Sequence, residues 1–579
     1  MAAMGTFTRI AAAFALLTGS AAGAQDSPGF LDVKGTQIVD GQGRPVILRG
    51  MGLGGWMLQE GYMLKLGEVG PQHAIHRKLA ELVGQEAVDA FQRAWLDNHM
   101  TKADLDAYAR WGFNSVRLPM HWNLFLDPSA PAGTTRFNED GFRRLDALLQ
   151  WAAANRMWVM LDLHAAPGGQ GTDLPISDRD PTKPSLWESA ENQRLTVELW
   201  REIARRYADN PWVGAYDLVN EPNWDFDGQG GHGCEDKKNG PIEALYKRIT
   251  SAIRTHDKRH IIVIEGNCWG NNYAGITPDW DPKLVLSFHK YWNRNTDAAL
   301  AGILKLRKET GRPIWLGESG ENSNGWYRDA IRLAEGHGIG WAWWPHKKMG
   351  FNQPLEIRPN PGWDEIVAWM TGKGPRPDPA AARTAMMRVA THDIAFPNLI
   401  QHRDVVDAMI RQPHDDTTLP FADHRLGPAG VAIAAVDYDL GAPGIAYRDT
   451  VEGNYHVDTG GERTPWNDGT TYRNDGVDIA READGAPFVT AFERGEWLHY
   501  TVAADGAGVR PGRLVIAAES PATLWVSLNG GARLAFAVPA AQGWSDVPLP
   551  PLAFQDGTNR LVVGVAAGRV RLQSIRLGR

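Results

Sequence analysis

Apolar runs alternate with amphipathic segments from about residue 30 to residue 372. The apolar runs are nearly continuous in hydrophobic residues, which is typical of strands buried on both faces of a parallel sheet. Eight of them occur, at 46–52, 114–120, 158–165, 214–221, 260–266, 284–291, 313–319 and 338–344. Helical patterns lie between them, as at 140–156, 189–208, 241–256 and 327–336. Eight β/α units in this order predict an α/β fold, the closed (β/α)8 TIM barrel with long loops.

The pattern changes beyond the barrel. A last barrel helix at 363–370 is followed by the breaker-rich KGPRPDP, and then by a helical segment at about 379–411 that we expect to extend the barrel. From about residue 431, short alternating strands separated by Gly, Asp and Asn turns predict an all-β sandwich. The predicted domains are a signal peptide (1–24), the barrel with its helical extension (25–411), a linker (412–430) and the sandwich (431–579).

The N-terminus has the pattern of a secretory signal peptide. Arg9 supplies a positive charge, residues 10–17 are apolar, and Ala22-Gly23-Ala24 matches an A-x-A cleavage site, so the mature chain is expected to start near Gln25. No later stretch of about 18 apolar residues follows. We therefore expect a secreted protein, extracellular or periplasmic, without membrane association.

The two cysteines, Cys234 and Cys268, fall in predicted loops that follow neighbouring strands. Export permits a disulfide between them, because secreted proteins fold in oxidising compartments. The sequence leaves open whether they pair. Two thiols are too few for a cysteine-rich metal site.

Charge and aromatic content narrow the class of ligand. The formal net charge of -8 offers no basic footprint for nucleic acid or an anionic membrane. The chain has 24 Trp, whose flat apolar rings with an N–H donor suit the faces of sugar rings. We therefore expect a polysaccharide as partner and a monomeric protein.

Polar side chains collect at the carboxyl ends of the predicted strands. A TIM barrel places its active site at that face, and a purely structural role would scatter such residues along the strands. The residues concerned are Arg117, His164, Asn220, Glu221, His289, Tyr291, Glu318 and Trp344.

Glu221 and Glu318 end the fourth and seventh predicted strands, so they can face each other across the barrel mouth. Glycoside hydrolysis needs such a pair, with one carboxyl protonated near neutral pH and the other ionised. Asn220 is placed to hold a sugar 2-hydroxyl, and the Tyr291 hydroxyl to orient a nucleophilic Glu318. Arg117 and His164 are further donors that favour the ionised form of Glu318.

Six short motifs carry a family resemblance: GFNSVRLP (112–119), DLH (162–164), NEP (220–222), HKY (289–291), GES (317–319) and the surroundings of Trp344. Through them, residues 30–372 resemble glycoside hydrolase family 5 of clan A, the cellulase-like (β/α)8 enzymes. The resemblance implies Glu221 as acid/base, Glu318 as nucleophile and net retention. It also implies a supporting role for Arg117, His164, Asn220, His289 and Tyr291, and it makes Trp344 the platform under the −1 sugar.

LRGMGLGGWM (48–57) and DLHAAPGGQ (162–170) resemble the exo-1,3-β-glucanase branch of the family more than its cellulases. The long acidic loop after Gln170 is expected to narrow or block the cleft. A Trp-rich rim favours β-glucan, with Trp56, Trp122, Trp224, Trp292 and Trp326 as candidates. Linkage and exo or endo mode stay open, as do mannan, xylan and xyloglucan. A non-catalytic carbohydrate-binding protein is the alternative class, but it would require loss of one carboxylate.

The sandwich is similar to family 6 carbohydrate-binding modules. The matching pieces include YRNDGVDI (472–479), GW (543–544) and DGTNRL (556–561). The resemblance implies that Tyr472, Trp544 and Asn559 bind a sugar. It also implies a structural calcium, although Ala434 and Ala435 stand where a Glu is typical. For the hydrolytic chemistry we expect no metal or organic cofactor.

Overall fold

The computed structural model describes residues 29–450 and 472–578, and within them the predicted barrel is confirmed. Eight parallel strands follow one another around it in chain order, and the first strand pairs with both the second and the eighth, which closes the barrel. The strands are Arg49–Gly52, Ser115–His121, Trp158–Ala165, Val213–Asp217, Ile261–Glu265, Leu284–Lys290, Ile314–Gly320 and Trp341–Trp344, called here barrel strands 1 to 8. The predicted signal peptide lies outside the described residues.

Helices cover the barrel because their apolar faces bury against the strands. In Glu139–Asn155 the buried residues include Phe142, Leu145 and Leu149, and the Asn138 side chain accepts from the Asp140 backbone N–H at the start of the helix. The helices around the barrel are Gln72–Val83, Gln85–Asn98, Lys102–Trp111, Glu139–Asn155, Leu174–Ser177, Ala190–Tyr207, Gly240–Arg254, Asp297–Thr310, Asn324–Gly336 and Pro361–Met370.

The helical extension packs on the barrel. It contains the helix Pro379–Arg388, a π-helical turn Val389–Asp393 and the helix Arg403–Ile410. A small sheet of Lys347–Met349, Leu355–Ile357 and Ile400–Gln401 joins this extension to the segment after barrel strand 8.

Two mainly antiparallel sheets form the C-terminal sandwich, with a continuous apolar core between them. The first contains His424–Leu426, Tyr447–Arg448, Trp497–Ala504, Ala522–Leu528, Leu534–Val538 and Gly557–Ala567. The second contains Val431–Ala434, Ile479–Arg481, Pro487–Glu493, Gly512–Ala518, Ala541–Pro548 and Arg569–Leu577. Gly508–Arg510 and Leu552–Phe554 form a separate pair.

The predicted linker 412–430 is not a free tether. His424–Leu426 pairs in parallel with the end of Trp497–Ala504, and Leu419 forms a bridge to Leu440. Sequence pattern missed this edge strand because only three residues pair, and a stretch rich in Pro and Asp hides so short a signal.

Cys234 and Cys268 form a disulfide, which ties the loop after barrel strand 4 to the loop after barrel strand 5. In the described ranges no helix is both long enough and apolar enough to cross a membrane.

Lys347 is fully buried, and its Nζ donates to Asp104 Oδ1 at 2.8 Å and to the Ile394 carbonyl in the extension at 3.0 Å. Lys347→Met leaves the Asp104 carboxylate buried without its cation. We expect the free energy of unfolding to fall by about 3–5 kcal/mol. Urea unfolding followed by Trp fluorescence measures the change.

The matched control is Lys65→Met, which removes a similar 2.9 Å contact to Asp364 from an exposed pair. Its expected effect is below about 1 kcal/mol, because water screens exposed ion pairs. Equal losses for the two variants would contradict the role given to Lys347.

Candidate active site

A cavity of about 430 Å³ opens at the carboxyl end of the barrel. Its walls come from, or directly follow, seven of the eight barrel strands, and strand 2 is the exception. The lining residues are Glu60, Tyr62, His164, Asp173, Ile176, Glu221, Trp269, Asn271, His289, Tyr291, Trp292, Asn293, Glu318, Glu321 and Trp344.

Glu221 and Glu318 face each other in this cavity, and both are buried. A carboxylate oxygen of each and a ring nitrogen of His289 all lie within 4.8 Å of one another. Retaining glycosidases hold their two carboxyl groups about 5–5.5 Å apart, whereas inverting enzymes separate them by about 6.5–9.5 Å to admit a water. The spacing therefore has the geometry of a retaining pair.

Two donors hold Glu318. Arg117 Nη1 donates to its Oε2 at 2.9 Å, and the Tyr291 hydroxyl donates to its Oε1 at 2.7 Å. Burial and the neighbouring Glu221 raise the pKa of Glu318, while the cationic neighbours His289 and Arg117 oppose that rise. A carboxylate that accepts two such hydrogen bonds is favoured in its ionised form.

Arg117 is the fully buried cation of the site. Its Nε donates to Asp217 at 3.0 Å, and its Nη2 donates to Asn220 Oδ1 at 2.8 Å and to Glu265 at 3.0 Å. Asp162 lies 3.3 Å from Nη1. Because these acids come from barrel strands 3, 4 and 5, one guanidinium fixes the relative positions of several strand ends.

Glu221 has a different environment. Its Oε1 lies 2.6 Å from His289 Nδ1, and its backbone N–H donates to Glu265 Oε2 at 2.7 Å. Burial raises the pKa of Glu221, against the opposing effect of His289. Burial disfavours a charged His289, but the carboxylates of Glu265, Glu221 and Glu318 outweigh it and raise the His289 pKa well above its usual value.

The raised pKa favours the protonated form of His289, which lies at a hydrogen-bond distance from Glu221 and has its other ring nitrogen 3.2 Å from Glu265. Burial acts to raise the pKa of Glu265 too, but His289 and Arg117 more than offset it and lower that pKa to about 2. Glu265 is therefore the fixed anion of this group, and Glu221 is the carboxyl that can exchange a proton.

Trp344 forms one wall beside His164. The two rings stack with centroids 5.0 Å apart and planes 12° from parallel, and the Trp344 indole N–H donates to the Tyr62 hydroxyl. Nδ1 of His164 lies 2.7 Å from Asp162, and its Nε2 lies beside the Asn220 amide nitrogen. His164 therefore orients Asn220 and the tryptophan, and does not itself contact Glu318.

The structure brings together all eight residues that the sequence placed at the strand ends. The rim tryptophans differ. Trp292 lines the cavity, but Trp56 and Trp326 are buried core residues, and their predicted contact with sugar is wrong. The Trp56 indole N–H donates to the Leu96 carbonyl and Trp326 donates to the Asn293 carbonyl. Trp122 and Trp224 do not line the cavity.

Sequence reasoning missed Glu60, Asp162, Asp217, Glu265 and Trp269. Asp162, Asp217 and Glu265 each interrupt an apolar strand run, which is the signal that could have identified them. Glu60 lines the cavity, and burial raises its pKa to about 7. Trp269 lies in the loop fixed by the disulfide, one residue after Cys268.

The loop after Gln170 narrows the cavity, since Asp173 and Ile176 line it. Asp178 anchors the loop by contacts to His73 at 2.8 Å and His121 at 3.1 Å. Of the acidic residues of this loop, Asp173 therefore forms part of the cavity wall, whereas Asp178 holds the loop in place.

Of the three residues predicted to bind sugar in the sandwich, one is inaccessible. Asn559 is fully buried, and its amide bonds to Gln555, Gly557 and Asn529, so its predicted sugar contact is wrong. Tyr472 donates to Asp437, whereas Trp544 contacts Phe488 and donates to Glu482. The structural calcium stays a prediction, because residues 451–471 of the sandwich lie outside the described part.

In the described ranges, Glu221, His289 and Glu318 are the one group of His and acidic side chains spaced to hold a metal ion. Arg117 and Tyr291 already occupy the Glu318 oxygens, and Glu221 shares its oxygen with His289. That the chemistry needs no metal or organic cofactor stays a prediction.

Several known proteins are similar in sequence to this chain. A β-xylosidase of Phanerodontia chrysosporium is 36% identical over 245 residues, which cover 42% of this chain and 48% of that protein. Endoglucanase C of Acetivibrio thermocellus is 25% identical over 48% of this chain and 92% of its own length. A probable glucan 1,3-beta-glucosidase A of Aspergillus niger is 29% identical over 31% of this chain and 41% of that protein. The chain therefore spans about half the length, or less, of two of these three relatives.

The family model described as Cellulase (glycosyl hydrolase family 5) matches residues 79–350. This segment holds barrel strands 2 to 8, both facing carboxyl groups and every polar neighbour that orients them. The match covers slightly less than half of the chain, and through it the barrel is similar to glycosyl hydrolase family 5.

Proposed function

We propose that this chain is a retaining β-glycosidase that releases sugar from the non-reducing ends of β-glucan. The observation that carries the proposal is the approach of the Glu221 and Glu318 carboxylates, with oxygens within 4.8 Å, at the base of a sugar-sized cavity. So short a spacing leaves no room for an inverting water between the carboxylate and the sugar.

In the proposed mechanism, Glu318 attacks the anomeric carbon while Glu221 protonates the leaving glycosidic oxygen. Arg117 and Tyr291 keep Glu318 ionised, and His289 holds Glu221. A covalent glycosyl-enzyme forms with inverted configuration. Glu221 then removes a proton from water, which attacks the same carbon and restores the original configuration.

The shape of the cavity supports exo action. Segments after barrel strands 1, 3, 5, 6 and 7 line the cavity around the carboxyl pair, and the loop with Asp173 and Ile176 adds to its wall. On this proposal, these walls stop a polymer from crossing the site. The sugar that fills it is a chain end, and the rest of the chain leaves as the aglycone, so that end is the non-reducing one.

The charge of the cavity supports a neutral sugar. Five of its lining residues are acidic, and no Lys or Arg lines it. His289 also lines the cavity, but Glu221 and Glu265 already contact its two ring nitrogens, so the carboxylate of a uronic acid would face net repulsion. Trp292 and Trp344 offer flat faces for glucosyl rings, and the endoglucanase and glucan glucosidase among the relatives are named for glucan.

Export is part of the proposal. The Cys234–Cys268 disulfide supports it, because such bonds persist in oxidising compartments. Mass spectrometry of protein recovered outside the cytoplasm should show a mature chain that starts near Gln25. A full-length chain retained in the cytoplasm would contradict export.

Glu318→Gln should abolish hydrolysis of laminarin and cellooligosaccharides, because it removes the nucleophile. Glu221→Gln should lower kcat/KM about 10²–10⁴-fold on the same substrates, with recovery on aryl glycosides whose leaving group needs no proton. For the wild-type enzyme, proton NMR recorded early in the reaction should show the β-anomer of the released sugar first. Glu198→Gln, outside the cavity, is the control and should keep wild-type rates. Initial formation of the α-anomer would refute the retaining mechanism.

Tyr291→Phe removes a hydrogen bond that favours ionised Glu318, so the pKa of Glu318 should rise. Activity requires this carboxylate and is lost as the pH falls through its pKa. The acidic limb of the kcat/KM profile should therefore move up by about one pH unit, whereas the basic limb, set by Glu221, moves less. Tyr207→Phe, which loses a bond to Asp146 far from the cavity, should shift neither limb. An unchanged acidic limb in Tyr291→Phe would contradict the role of Tyr291.

Product analysis on laminarin, cellulose oligomers, mannan, xylan and xyloglucan tests the substrate and mode. We expect a single short product from β-glucan from the earliest time points, with slow loss of viscosity. A ladder of intermediate oligomers would show endo action, and hydrolysis of only mannan or xylan would overturn the choice of glucan.

A further inference from the structure

One loop of the sandwich is buried against the barrel, at the segment that follows barrel strand 7. Asn474 of this loop is only 1% exposed. Its side-chain nitrogen donates to the Asn322 carbonyl at 2.9 Å and to Asn324 Oδ1 at 3.1 Å, and its carbonyl accepts from the Asn324 N–H at 2.8 Å. A loop that makes three hydrogen bonds to another domain at almost no exposure is part of a fixed interface.

Asp404 of the helical extension completes the contact. Its Oδ2 accepts from the Asn474 backbone N–H at 2.8 Å and from the Asn324 side chain at 2.7 Å. Asp404 is itself buried, so it binds sandwich and barrel to a single carboxylate oxygen. Hydrogen bonds to a buried charged group are stronger than those between neutral groups.

The segment held in this way starts at the end of barrel strand 7, four residues after Glu318. Glu321 lines the cavity, its backbone carbonyl accepts from the Trp292 indole N–H at 3.1 Å, and its carboxylate contacts Lys348 at 2.9 Å. Glu321 and Trp292 both have positive φ, of 53° and 52°. Side chains rarely adopt that conformation unless neighbouring contacts impose it.

The same segment also supports the loop after barrel strand 6. Asn324 begins the helix Asn324–Gly336, and in its first turn Trp326 donates to the Asn293 carbonyl at 2.9 Å and accepts from Asn295 at 3.1 Å. Asn293 lines the cavity. Movement of this first turn would therefore displace the wall made of Trp292, Asn293 and Glu321.

From these contacts we propose that Asn474 is a positioning residue for substrate binding, which acts on the cavity wall of Trp292, Asn293 and Glu321 through Asn322 and Asn324. The proposal rests on the proposed function for the identity of the substrate. The sandwich is then a structural part of the substrate-binding site. Glu221 and Glu318 are held separately by Arg117, His289 and Tyr291, so the reacting carboxyls do not depend on Asn474.

Asn474→Ala in the full chain removes the two side-chain bonds to the barrel. We expect KM for a β-glucan oligosaccharide to rise about tenfold while kcat stays within about threefold. The two limbs of the pH profile should not move, because the carboxyl pair keeps its donors. A fall in kcat with an unchanged KM would overturn the proposal.

A double-mutant cycle separates positioning from general destabilisation. If Asn474 acts through the wall, Asn474→Ala should change KM less than about twofold in a Trp292→Ala background, since sites that share a path are not additive. If the effects of the two substitutions on KM are fully additive, Asn474 does not act through the wall that contains Trp292. Asp404→Asn is a milder variant that keeps the size of the side chain, and it should raise KM in the same direction if Asn474→Ala fails to fold.

Thr501→Val is the matched control. It removes a 2.6 Å hydrogen bond to Asp439 that lies wholly within the sandwich, so it destabilises that domain without touching the barrel. KM should stay at the wild-type value. A rise in KM equal to that of Asn474→Ala would show that sandwich stability alone is responsible.

Hydrogen exchange of the intact protein gives a readout that needs no activity. Asn474→Ala should speed exchange in residues 292–296 and 320–326, and Thr501→Val should not. If the wild type hydrolyses no β-glycoside but exchange rises as expected, the proposed function fails and the positioning role stands. If the wild type is active while every variant keeps the wild-type exchange rates and the wild-type KM, the positioning role fails and the proposed function stands.

Discussion

The buried guanidinium of Arg117 is the constraint on which the active site depends. It is fully buried, and it contacts acids or amides from barrel strands 3, 4, 5 and 7. Such a cation is tolerated inside a protein only when carboxylates compensate it, and those carboxylates are tolerated only because it is there. The Arg117 guanidinium therefore fixes the relative positions of these strand ends. It also fixes the position of the Glu318 carboxylate and favours its ionised form.

The same cluster sets the different characters of the two catalytic candidates. Glu318 accepts from the guanidinium and a phenol, whereas Glu221 faces an imidazole whose other ring nitrogen lies 3.2 Å from Glu265. Burial raises the pKa of both. Their neighbours then give the two carboxyl groups different roles. Arg117 and Tyr291 donate permanently to Glu318 and favour its anion, whereas His289 offers Glu221 a partner with which it can exchange a proton.

The cavity wall is built at a conformational cost that the rest of the chain offsets. Glu221, Trp269, Trp292 and Glu321 all have positive φ, which is uncommon for residues other than glycine. Each is held by a tertiary contact, such as the disulfide beside Trp269 or the Trp292 bond to Glu321. The helical extension and the sandwich loop bond to Asn322 and Asn324, the residues that follow Glu321 in the chain or lie close after it.

Sequence by itself determined the barrel, the order of its strands and the pair Glu221 and Glu318. It could do so because buried strands are read from continuous apolar runs, and polar residues at their ends are read from position alone. The sequence did not place residues whose role depends on their tertiary neighbours. Trp56, Trp326 and Asn559 were expected to contact sugar, but the two tryptophans are core residues and Asn559 hydrogen-bonds within a turn. Only the tertiary structure decided the carboxylate spacing, the set of residues that line the cavity and the docking of the sandwich. Those are distances between segments far apart in the chain, and local pattern carries no information about them.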